Sequence, residues 1–318
     1  MDHGTTGHLP VSPERFLELV SPALAREGAV YVDATIGLGG HALAVAEAFG
    51  EVRIIGLDRD PAAVEAARRR LADHTSRATV VHANYDQLAA VCGGLGVLAA
   101  DAVLFDLGVS SPQLDQDERG FAYSRDTALD MRMDTTQELT AAQVLASYPQ
   151  AELAAILRRY GEERYAGRIA AAIVEARATR PIERSSQLVD LIRTAIPAPA
   201  RRTGGNPAKR TFQALRVEVN GELAALEAAL PQAIDLLRVG GRVVVMSYQS
   251  LEDAIVKRVL QAGATSRAPA GLPVEPAHLR PVLRLVTRGA EHAPAAEQAR
   301  NPRSAPLRLR AAEKVRVA

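Results

Sequence analysis

Polar side chains follow four predicted strands in the N-terminal part of the chain, at the point where each strand ends. Asp33, Asp58 and Asp106 end the first, second and fourth of these strands, and Asn84-Tyr85 follows the third. Parallel strands of an open sheet end at one edge, and that edge binds ligands. Carboxylates there can accept hydrogen bonds from ribose hydroxyls or attract a cationic ligand. Each could instead cap the next helix, so the ligand interpretation depends on the whole set.

A glycine-rich segment joins the first of these strands to the helix that follows. It reads Asp33-Ala-Thr-Ile-Gly-Leu-Gly-Gly-His41. Glycine lets the backbone approach a ligand, and the free amides at the start of the helix then face it. The segment also fits the G-x-G-x-x-A pattern of nicotinamide dinucleotide enzymes. Because Asp33 and Asp106 would repel a pyrophosphate but attract a sulfonium and an ammonium, the residues favour S-adenosylmethionine, with a nicotinamide dehydrogenase as the alternative.

The elements that position these residues alternate between short β-branched strands and alanine-rich helices. Strands separated by helices, with apolar runs that lack polar alternation, indicate βαβ units in a parallel sheet covered on both faces. We therefore predict an α/β fold with a doubly wound, mostly parallel sheet. The predicted strands are Val30 to Asp33, Arg53 to Leu57, Thr79 to His82 and Ala102 to Phe105, and the helices are Ala42 to Phe49, Pro61 to Ala72 and Tyr85 to Val91.

A helical insertion interrupts this pattern. The spacing of Leu153, Ile156, Leu157 and Tyr160 is that of an amphipathic helix, and no strand pattern is visible in this part of the chain. The sheet pattern then returns with the apolar run Arg242 to Ser247. We predict a methyl-donor domain in two parts, residues 1–111 and 217–290, a helical substrate domain at 112–216, and a basic C-terminal tail at 291–318.

Composition restricts the class of protein. Apolar residues make up 47% of the chain and charged residues 24%, which is typical of a globular protein. A single cysteine, Cys92, excludes an internal disulfide or a cysteine zinc cluster. The chain has no apolar segment long enough to span a bilayer and no signal-peptide pattern, so we expect a soluble, cytoplasmic protein.

Charge is distributed unevenly along the chain. Residues 1–200 contain 19 Lys and Arg against 27 Asp and Glu, whereas residues 201–318 contain 19 against 10. A basic segment of this kind suits the phosphate backbone of a nucleic acid, although solvated surface charge would produce the same count.

Several longer motifs are spread along the chain from His8 to about Lys314. They are His8-Leu-Pro-Val11, Asp106-Leu-Gly-Val-Ser-Ser-Pro-Gln-Leu-Asp115, Glu118-Arg-Gly-Phe121, Leu129-Asp-Met-Arg-Met-Asp134, Tyr160-Gly-Glu-Glu-Arg164, Arg210-Thr-Phe-Gln-Ala-Leu-Arg216, Glu218-Val-Asn220, Ser250-Leu-Glu-Asp253 and Asn301-Pro-Arg303. Together they resemble the small-subunit ribosomal RNA cytosine-N4 methyltransferases, also called the MraW type. The resemblance covers nearly the whole chain.

The resemblance implies an S-adenosylmethionine-dependent enzyme with a Rossmann-like donor domain that acts on the N4 amino group of a cytidine in 16S ribosomal RNA. Asp106 stands where amino methyltransferases place the residue that accepts the hydrogens of the target amine. We expect no metal and no membrane partner, and the oligomeric state stays open. The implied cofactor contacts are Gly39, Gly40, His41, Asp58, Tyr85, Asp106 and Gln113, and the predicted RNA contacts are Ser110, Ser111, Tyr123, Arg119, Arg132, Lys209, Arg210 and Arg216.

One departure from the family pattern bears on the site. The family usually reads Ser-Phe-His before Ser-Leu-Glu-Asp, whereas this chain has Ser247-Tyr-Gln249. A titratable histidine is therefore missing, which leaves a non-catalytic RNA-binding assembly factor as a further alternative. Tyr248, Tyr123 and Phe121 are the candidates for stacking on the target base, with packing in the core as the competing interpretation for Phe121 and Tyr248.

Overall fold

The computed structural model describes residues 10–109, 113, 119–201, 206–269 and 276–317. These residues form two compact units. The first unit contains the described residues of Met1–Gly108 and Leu223–Ala318, and the second contains those of Val109–Glu222. No helix in these described ranges is long and apolar enough to cross a membrane.

The first unit contains a seven-stranded sheet in the order β3-β2-β1-β4-β5-β7-β6. Strands β1 to β5 pair with one another in parallel, and β7 is antiparallel to both β5 and β6. The predicted doubly wound, mostly parallel sheet is therefore confirmed. The strands are β1 (Val30–Asp33), β2 (Arg53–Asp58), β3 (Ala78–His82), β4 (Ala100–Asp106), β5 (Leu237–Ser247), β6 (Leu283–Leu285) and β7 (Arg308–Lys314).

Thirteen α-helices are assigned in the described part of the chain. Helices α5 to α10 belong to the second unit, and the others lie in the first except that α11 begins at the boundary. They are α1 (Pro13–Leu24), α2 (Gly40–Ala48), α3 (Pro61–Arg70), α4 (Leu88–Gly94), α5 (Ala141–Ser147), α6 (Gln150–Gly161), α7 (Ala166–Arg177), α8 (Ser185–Ala195), α9 (Ala198–Arg201), α10 (Ala208–Asn220), α11 (Glu222–Leu236), α12 (Ser250–Gly263) and α13 (Ala295–Arg300).

Successive residues of a strand point to opposite faces of the sheet, and both faces are buried. Tyr31 and Leu104 belong to an apolar cluster that also contains residues of α1, α2 and α3. Val32 and Val103 belong to a second cluster, with residues of α4, α11 and α12. Strands buried on both faces carry continuous apolar runs, which is the pattern that predicted them.

The second unit has a helical core of its own, built from α5 to α8 and α10. Helices α6 and α10 approach closely at Gly161, where a Cβ atom would collide with the carbonyl of Arg210. Asn220, at the end of α10, accepts a hydrogen bond from the amide of Met133 at 2.8 Å and donates to the carbonyl of Met131 at 2.7 Å. Two of the sequence motifs are thus joined by side-chain contacts to the backbone.

Two predicted boundaries differ from the structure. The predicted boundary at residue 216 falls inside α10, because that helix continues to Asn220, and the compact units divide at Leu223. The predicted basic tail is not a separate segment, since its last part is β7. Leu309 and Ala312 of β7 are buried in the clusters on opposite faces of the sheet, and these contacts hold the segment in place.

Candidate functional site at the carboxyl edge of the sheet

Three acidic residues end three adjacent strands of the first unit. Asp33 ends β1, Asp58 ends β2 and Asp106 ends β4, and β1 pairs with both of the other strands. The strand order reverses between β1 and β4, and ligands of doubly wound proteins bind outside the strand ends at this point. The predicted placement of the three carboxylates along one edge is what the structure shows.

The glycine segment after β1 is held against the end of β2. The amide of Ile36 donates to the carbonyl of Leu57 at 2.8 Å, and the amide of Gly37 donates to Asp58 Oδ2 at 2.9 Å. Gly39 then precedes α2 with a φ of 77°, in the left-handed region that favours glycine. The segment therefore ends at a helix N-terminus, whose first amides have no intrahelical acceptor.

Asp58 is a hydrogen-bond acceptor at both oxygens. Besides the contact with Gly37, its Oδ1 atom accepts from the amide of Asp60 at 2.8 Å. Burial raises the pKa of Asp58 to about 6. The carboxylate is thus fixed in direction, and each oxygen retains lone-pair capacity for a further donor such as a ribose hydroxyl.

Asp33 and Asp106 are linked through Thr35. Asp33 accepts from the Tyr31 hydroxyl at 2.9 Å and from the Thr35 amide at 3.2 Å. The amide of Asp106 in turn donates to the Thr35 hydroxyl oxygen at 2.6 Å. Burial raises the pKa of Asp33 to about 6. Thr35 was not among the predicted site residues. Its position two residues after Asp33, at the end of a strand, could have indicated that it belongs to the site.

His41 faces the carboxylate of Asp106. Its Nε2 atom lies 3.0 Å from the carbonyl oxygen of Val11, which can only accept, so Nε2 carries the hydrogen. Its Nδ1 atom lies 3.8 Å from Asp106 Oδ2. When the ring is neutral, Nδ1 carries a lone pair, and both atoms are acceptors that suit a shared donor such as an ammonium group.

The other oxygen of Asp106 has a partner that the sequence interpretation did not assign. The hydroxyl of Tyr248, just after β5, donates to Asp106 Oδ1 at 2.7 Å. Burial, together with the neighbouring Asp106 carboxylate, raises the pKa of Tyr248 well above its ordinary value of 10.0. The available signal was a tyrosine where the family pattern has phenylalanine.

Asn84 and Tyr85 lie at the end of β3, beside β2 in the sheet. The ring of Tyr85 packs edge-on against Phe105, with the ring centroids 5.9 Å apart. Among the described residues, the buried Oδ1 atom of Asn84 has no hydrogen-bond partner. A buried orphan acceptor is costly, and a ligand with a hydrogen-bond donor would satisfy it.

Predicted site residues also lie in the second unit, beginning with Gln113. Its side chain is buried there. Ser110 and Ser111 fall outside the described residues. The roles of all three residues therefore stay predictions.

Two arginines that were predicted to contact RNA make internal contacts in the second unit. Arg119 donates to the carbonyls of Arg132 and Met133 at 3.1 and 2.9 Å. Arg132 forms a bidentate ion pair with Asp130, at 2.8 Å from Nε and 2.7 Å from Nη2. These bonds hold the turn around Met133, so both side chains have a structural role.

A third arginine of that set, Arg216, forms a bidentate ion pair with Glu222. Both nitrogen-to-oxygen distances are 2.8 Å, and the side chains are only 14% and 7% exposed. An ion pair so well shielded from water is a structural contact. Because the Arg216 guanidinium is engaged with Glu222, the structure argues against the predicted RNA contact by Arg216, which stays a prediction.

The remaining predicted RNA residues differ in their surroundings. Arg210 is exposed and donates to the carbonyl of Glu162 at 2.9 Å, while Lys209 beside it is exposed as well. The ring of Tyr123 packs edge-on against Phe212, with the centroids 5.8 Å apart. Phe121 is buried in the helical core, in line with the packing interpretation.

Comparison with known proteins decides the family. Residues 5–315 match the MraW methylase family. The chain belongs to this methylase family. Ribosomal RNA small subunit methyltransferase H of Frankia alni is 61% identical over 96% of this chain and 95% of its own length. The protein of the same name from Nocardia farcinica is 56% identical over 99% of this chain and 98% of its own length. The resemblance predicted from the motifs is confirmed.

A solved structure is also similar to the chain. It is the crystal structure of an rRNA methylase from Streptococcus thermophilus, which covers 98% of this chain and 100% of that one with 13% sequence identity and a TM-score of 0.44.

The residues at the sheet edge fit the cofactor of this methylase, S-adenosylmethionine. Its ammonium and sulfonium groups need acceptors and negative charge, which Asp33, Asp106 and His41 Nδ1 supply. Its ribose needs an acceptor such as Asp58, and its adenine carries donors suited to the orphan Oδ1 atom of Asn84. A nicotinamide dinucleotide would bring phosphates to the same carboxylates, so the dehydrogenase alternative has no support from the site or from the family.

Metal ligands were not expected from the sequence. In the described ranges, no group of three or more histidine, cysteine, aspartate or glutamate side chains is arranged to hold a metal ion.

Proposed function

We propose that this S-adenosylmethionine-dependent methyltransferase methylates the N4 amino group of a cytidine in the 16S RNA of the small ribosomal subunit. The observation that carries the proposal is the carboxylate of Asp106, which ends β4 at the reversal of strand order with its Oδ2 atom beside His41 Nδ1. The names of the full-length relatives support ribosomal RNA as the substrate. We expect the enzyme to act in the cytoplasm, where ribosomal subunits assemble.

The chemistry of a cytosine amine explains the need for a carboxylate. The nitrogen lone pair is delocalised into the ring, so the amine is a weak nucleophile. S-adenosylmethionine supplies, when bound, a methyl group on a positively charged sulfur. Asp106 accepts a hydrogen bond from the amine, which localises the lone pair and directs it. No strong base is required, because the nitrogen becomes acidic only after attack, and positioning and electrostatics account for most of the rate.

We propose the same cofactor-binding residues that the sequence predicts. We propose that the backbone at Gly39 and Gly40 contacts the methionine part, that Asp58 accepts from the ribose and that Tyr85 packs beside the adenine. Asp58 is fixed in direction for this purpose by the amides of Gly37 and Asp60. His41 and Gln113 complete the proposed set.

An exposed basic surface in the second unit supports an RNA substrate. This surface includes the end of α6, the start of α7 and the start of α10. Two hydrogen bonds hold α10 against the end of α6: Gln213 donates to the carbonyl of Tyr160 at 2.9 Å, and Arg210 donates to the carbonyl of Glu162. Phosphate groups are attracted to clustered cations, and tyrosines among them can contact sugars or bases. The exposed cations of this basic surface are Arg158, Arg159, Arg164, Arg168, Lys209 and Arg210.

Aromatic rings lie among these cations. The guanidinium of Arg159 lies 5.3 Å from the centroid of the Tyr160 ring, and that of Arg164 lies 5.8 Å from the Tyr165 ring. Such contacts hold the cations in place at low entropic cost while leaving their charge available to phosphate.

Methyl transfer to small ribosomal subunits that lack the modification tests the proposal. Labelled S-adenosylmethionine is supplied, and the RNA is digested to nucleosides for identification. N4-methylated cytidine is expected with the wild-type protein, and the Asp106→Asn variant should lose most of the transfer while keeping its fold. Binding of the cofactor without transfer to subunits or free RNA would contradict the proposal and favour a non-catalytic assembly factor. Wild-type turnover by Asp106→Asn would remove that carboxylate from the mechanism.

A further inference from the structure

We propose that Glu297 is a positioning residue for the cofactor site, which holds the N-terminal segment (residues 10–12) against the start of α2 and thereby fixes the ring of His41. The inference rests on the proposed role of His41 as a cofactor contact. Glu297 lies in α13, 285 residues from its partner Ser12, so the contact exists only in the folded chain.

Both oxygens of the Glu297 carboxylate bind Ser12. Oε1 accepts from the Ser12 amide at 2.6 Å, and Oε2 accepts from the Ser12 hydroxyl at 2.7 Å. Ser12 is only 4% exposed, so water competes little for these two donors. Hydrogen bonds to an ionised acceptor are stronger than those between neutral groups. The carboxylate therefore holds both the backbone and the side chain of Ser12.

The backbone of Ser12 needs such support. Its φ of 46° and ψ of 48° lie in the left-handed region, which costs free energy for a residue that has a Cβ atom. Conformations of this kind persist where the surrounding structure holds them. Rotation about φ of Ser12 also turns the peptide unit that carries the Val11 carbonyl. Without Glu297 we therefore expect this carbonyl to change direction.

The Val11 carbonyl determines which nitrogen of His41 carries the hydrogen. Its oxygen lies 3.0 Å from Nε2 and can only accept, so it favours the hydrogen on Nε2 and leaves the lone pair on Nδ1. The Asp106 carboxylate, 3.8 Å from Nδ1, favours the opposite tautomer. If the Val11 carbonyl turned away, a hydrogen on Nδ1 would become favourable, and it would face the ammonium group of the cofactor as a second donor.

The N-terminal segment also packs on the glycine turn. A Cβ atom on Gly40 would come within 3.2 Å of the Cβ atom of Pro10, so the proline ring lies directly against the first residue of α2. Gly40 and His41 are both proposed contacts to the methionine part of the cofactor. Loss of the Glu297 contact should therefore weaken cofactor binding and leave RNA binding unchanged.

The test compares Glu297→Ala with Glu291→Ala in the full-length protein. Glu291 provides a matched control, because its carboxylate also binds a residue near the start of the chain, Arg15, at 2.8 and 3.0 Å, but that residue lies in α1. Calorimetry gives the Kd for S-adenosylmethionine, methyl transfer to small subunits gives the KM for RNA, and thermal melting checks the fold. For Glu297→Ala we expect a rise in Kd of about tenfold with the KM for RNA within about twofold, and for Glu291→Ala both values within about twofold.

Glu297→Gln separates the hydrogen bonds from the charge. Glutamine keeps an oxygen for the Ser12 amide, and its NH2 group can donate to the Ser12 hydroxyl oxygen, but the negative charge is lost. This control is needed because the charge of Glu297 also acts on the phenol of Tyr248. We expect a Kd within about threefold of the wild type. A Kd as high as that of Glu297→Ala would overturn the positioning role, because the charge alone would then explain the effect.

Nitrogen-15 spectra of the ligand-free, histidine-labelled protein detect the ring without turnover. At about pH 8, where an imidazole side chain is ordinarily neutral, its protonated and unprotonated nitrogens give separate resonances. The resonances of His41 are those that disappear in His41→Asn. We expect the hydrogen on Nε2 in the wild type and in Glu291→Ala, and a mixture of both tautomers in Glu297→Ala. The wild-type tautomer in Glu297→Ala would overturn the inference.

The outcomes separate this inference from the function on which it rests. If the wild type binds the cofactor but forms no N4-methylcytidine, the proposed methylation fails, whereas the Kd values and the spectra still decide the role of Glu297. If His41→Asn binds the cofactor as tightly as the wild type, the proposed contact fails and the positioning role fails with it. If His41→Asn binds weakly but Glu297→Ala keeps the wild-type Kd, the positioning role alone is overturned, even where the melting temperature falls.

A milder variant keeps the test decisive if Glu297→Ala does not fold. Ser12→Ala removes the hydroxyl contact alone and leaves the amide bonded to Glu297 Oε1. We expect a rise in Kd of about threefold, in line with the loss of one of the two hydrogen bonds. A wild-type Kd together with the wild-type tautomer in Ser12→Ala would overturn the inference in that case.

Discussion

Replacement of Arg216 by glutamine separates the structural role of this residue from the predicted RNA contact. The guanidinium makes two hydrogen bonds of 2.8 Å to Glu222, and the two side chains are 14% and 7% exposed. Glutamine removes the positive charge but leaves the Glu222 carboxylate in place. The variant therefore retains an ionised group that has lost its charged partner in a poorly solvated position.

The expected loss of stability follows from that geometry. Removal of one partner of a buried ion pair costs about 3 to 5 kcal/mol, because the remaining charge is left uncompensated. Since Arg216 retains some contact with water, we expect about 3 kcal/mol, the lower end of that range. For a compact unit that spans Val109–Glu222, this corresponds to a fall in Tm on the order of 10 °C.

Thermal and urea unfolding of the ligand-free protein measure this loss, and Arg193→Gln serves as the control. Arg193 lies in the same unit, 4.0 Å from Asp190, with both side chains more than half exposed at 56% and 77%. Such a pair contributes less than about 1 kcal/mol, so the control should melt like the wild type. The double variant Arg216→Met with Glu222→Leu should recover much of the lost stability, because it leaves no unpaired charge.

The refuting result is specific. If Arg216→Gln unfolds like the wild type but binds small-subunit RNA more weakly, then Arg216 acts on RNA and the ion pair contributes little. If the variant loses stability and the double variant regains both stability and RNA affinity, the structural role is established.

Four further predictions concern the cofactor, the stability of the ligand-free protein and the RNA. Asp58→Asn should weaken S-adenosylmethionine binding by about tenfold or more, measured by calorimetry, with RNA affinity unchanged as the internal control. Burial raises the pKa of Asp33 and of Asp58 from 3.8 to about 6, so the affinity for this cationic cofactor should increase between pH 5 and 7 as both ionise; a constant Kd over that range would contradict the assignment. Because these raised pKa values belong to the folded state, the folded, ligand-free protein binds protons more tightly than the unfolded chain. Its free energy of unfolding should therefore fall as pH rises from about 4 to about 6, which urea unfolding at a series of pH values can check. Arg158→Gln combined with Arg159→Gln should reduce RNA affinity and lower the slope of log Kd against log salt by up to about two, whereas an unchanged slope would exclude these cations from phosphate contact.

Much of the donor unit can be predicted from local sequence. The strands β1, β2 and β4 are continuous apolar runs that end in an acid, and a parallel sheet necessarily brings such ends to one edge. The placement of Asp33, Asp58 and Asp106 follows from this regularity, and the long motifs identified the family without any structure. Local sequence also explains the glycine at position 39, because the turn into α2 needs a positive φ at this residue.

The partners of polar side chains were beyond such reasoning. A basic residue in a sequence reads equally well as an RNA contact or as half of an ion pair. Glu222 lies six residues from Arg216 and Asp130 two residues from Arg132, but only the backbone path seen in the structure shows that each forms a bidentate pair. The C-terminal segment read as a tail because its alternating charges conceal a strand, which pairs with both β5 and β6 and whose apolar residues are buried on the two faces of the sheet. Tyr248 read as a packing residue because a phenol has an apolar ring, and its hydrogen bond to Asp106 exists because β4 and β5 are neighbours in the sheet. Local propensity depends on a residue and its chain neighbours, whereas the partner of a polar group depends on which segments the fold brings together.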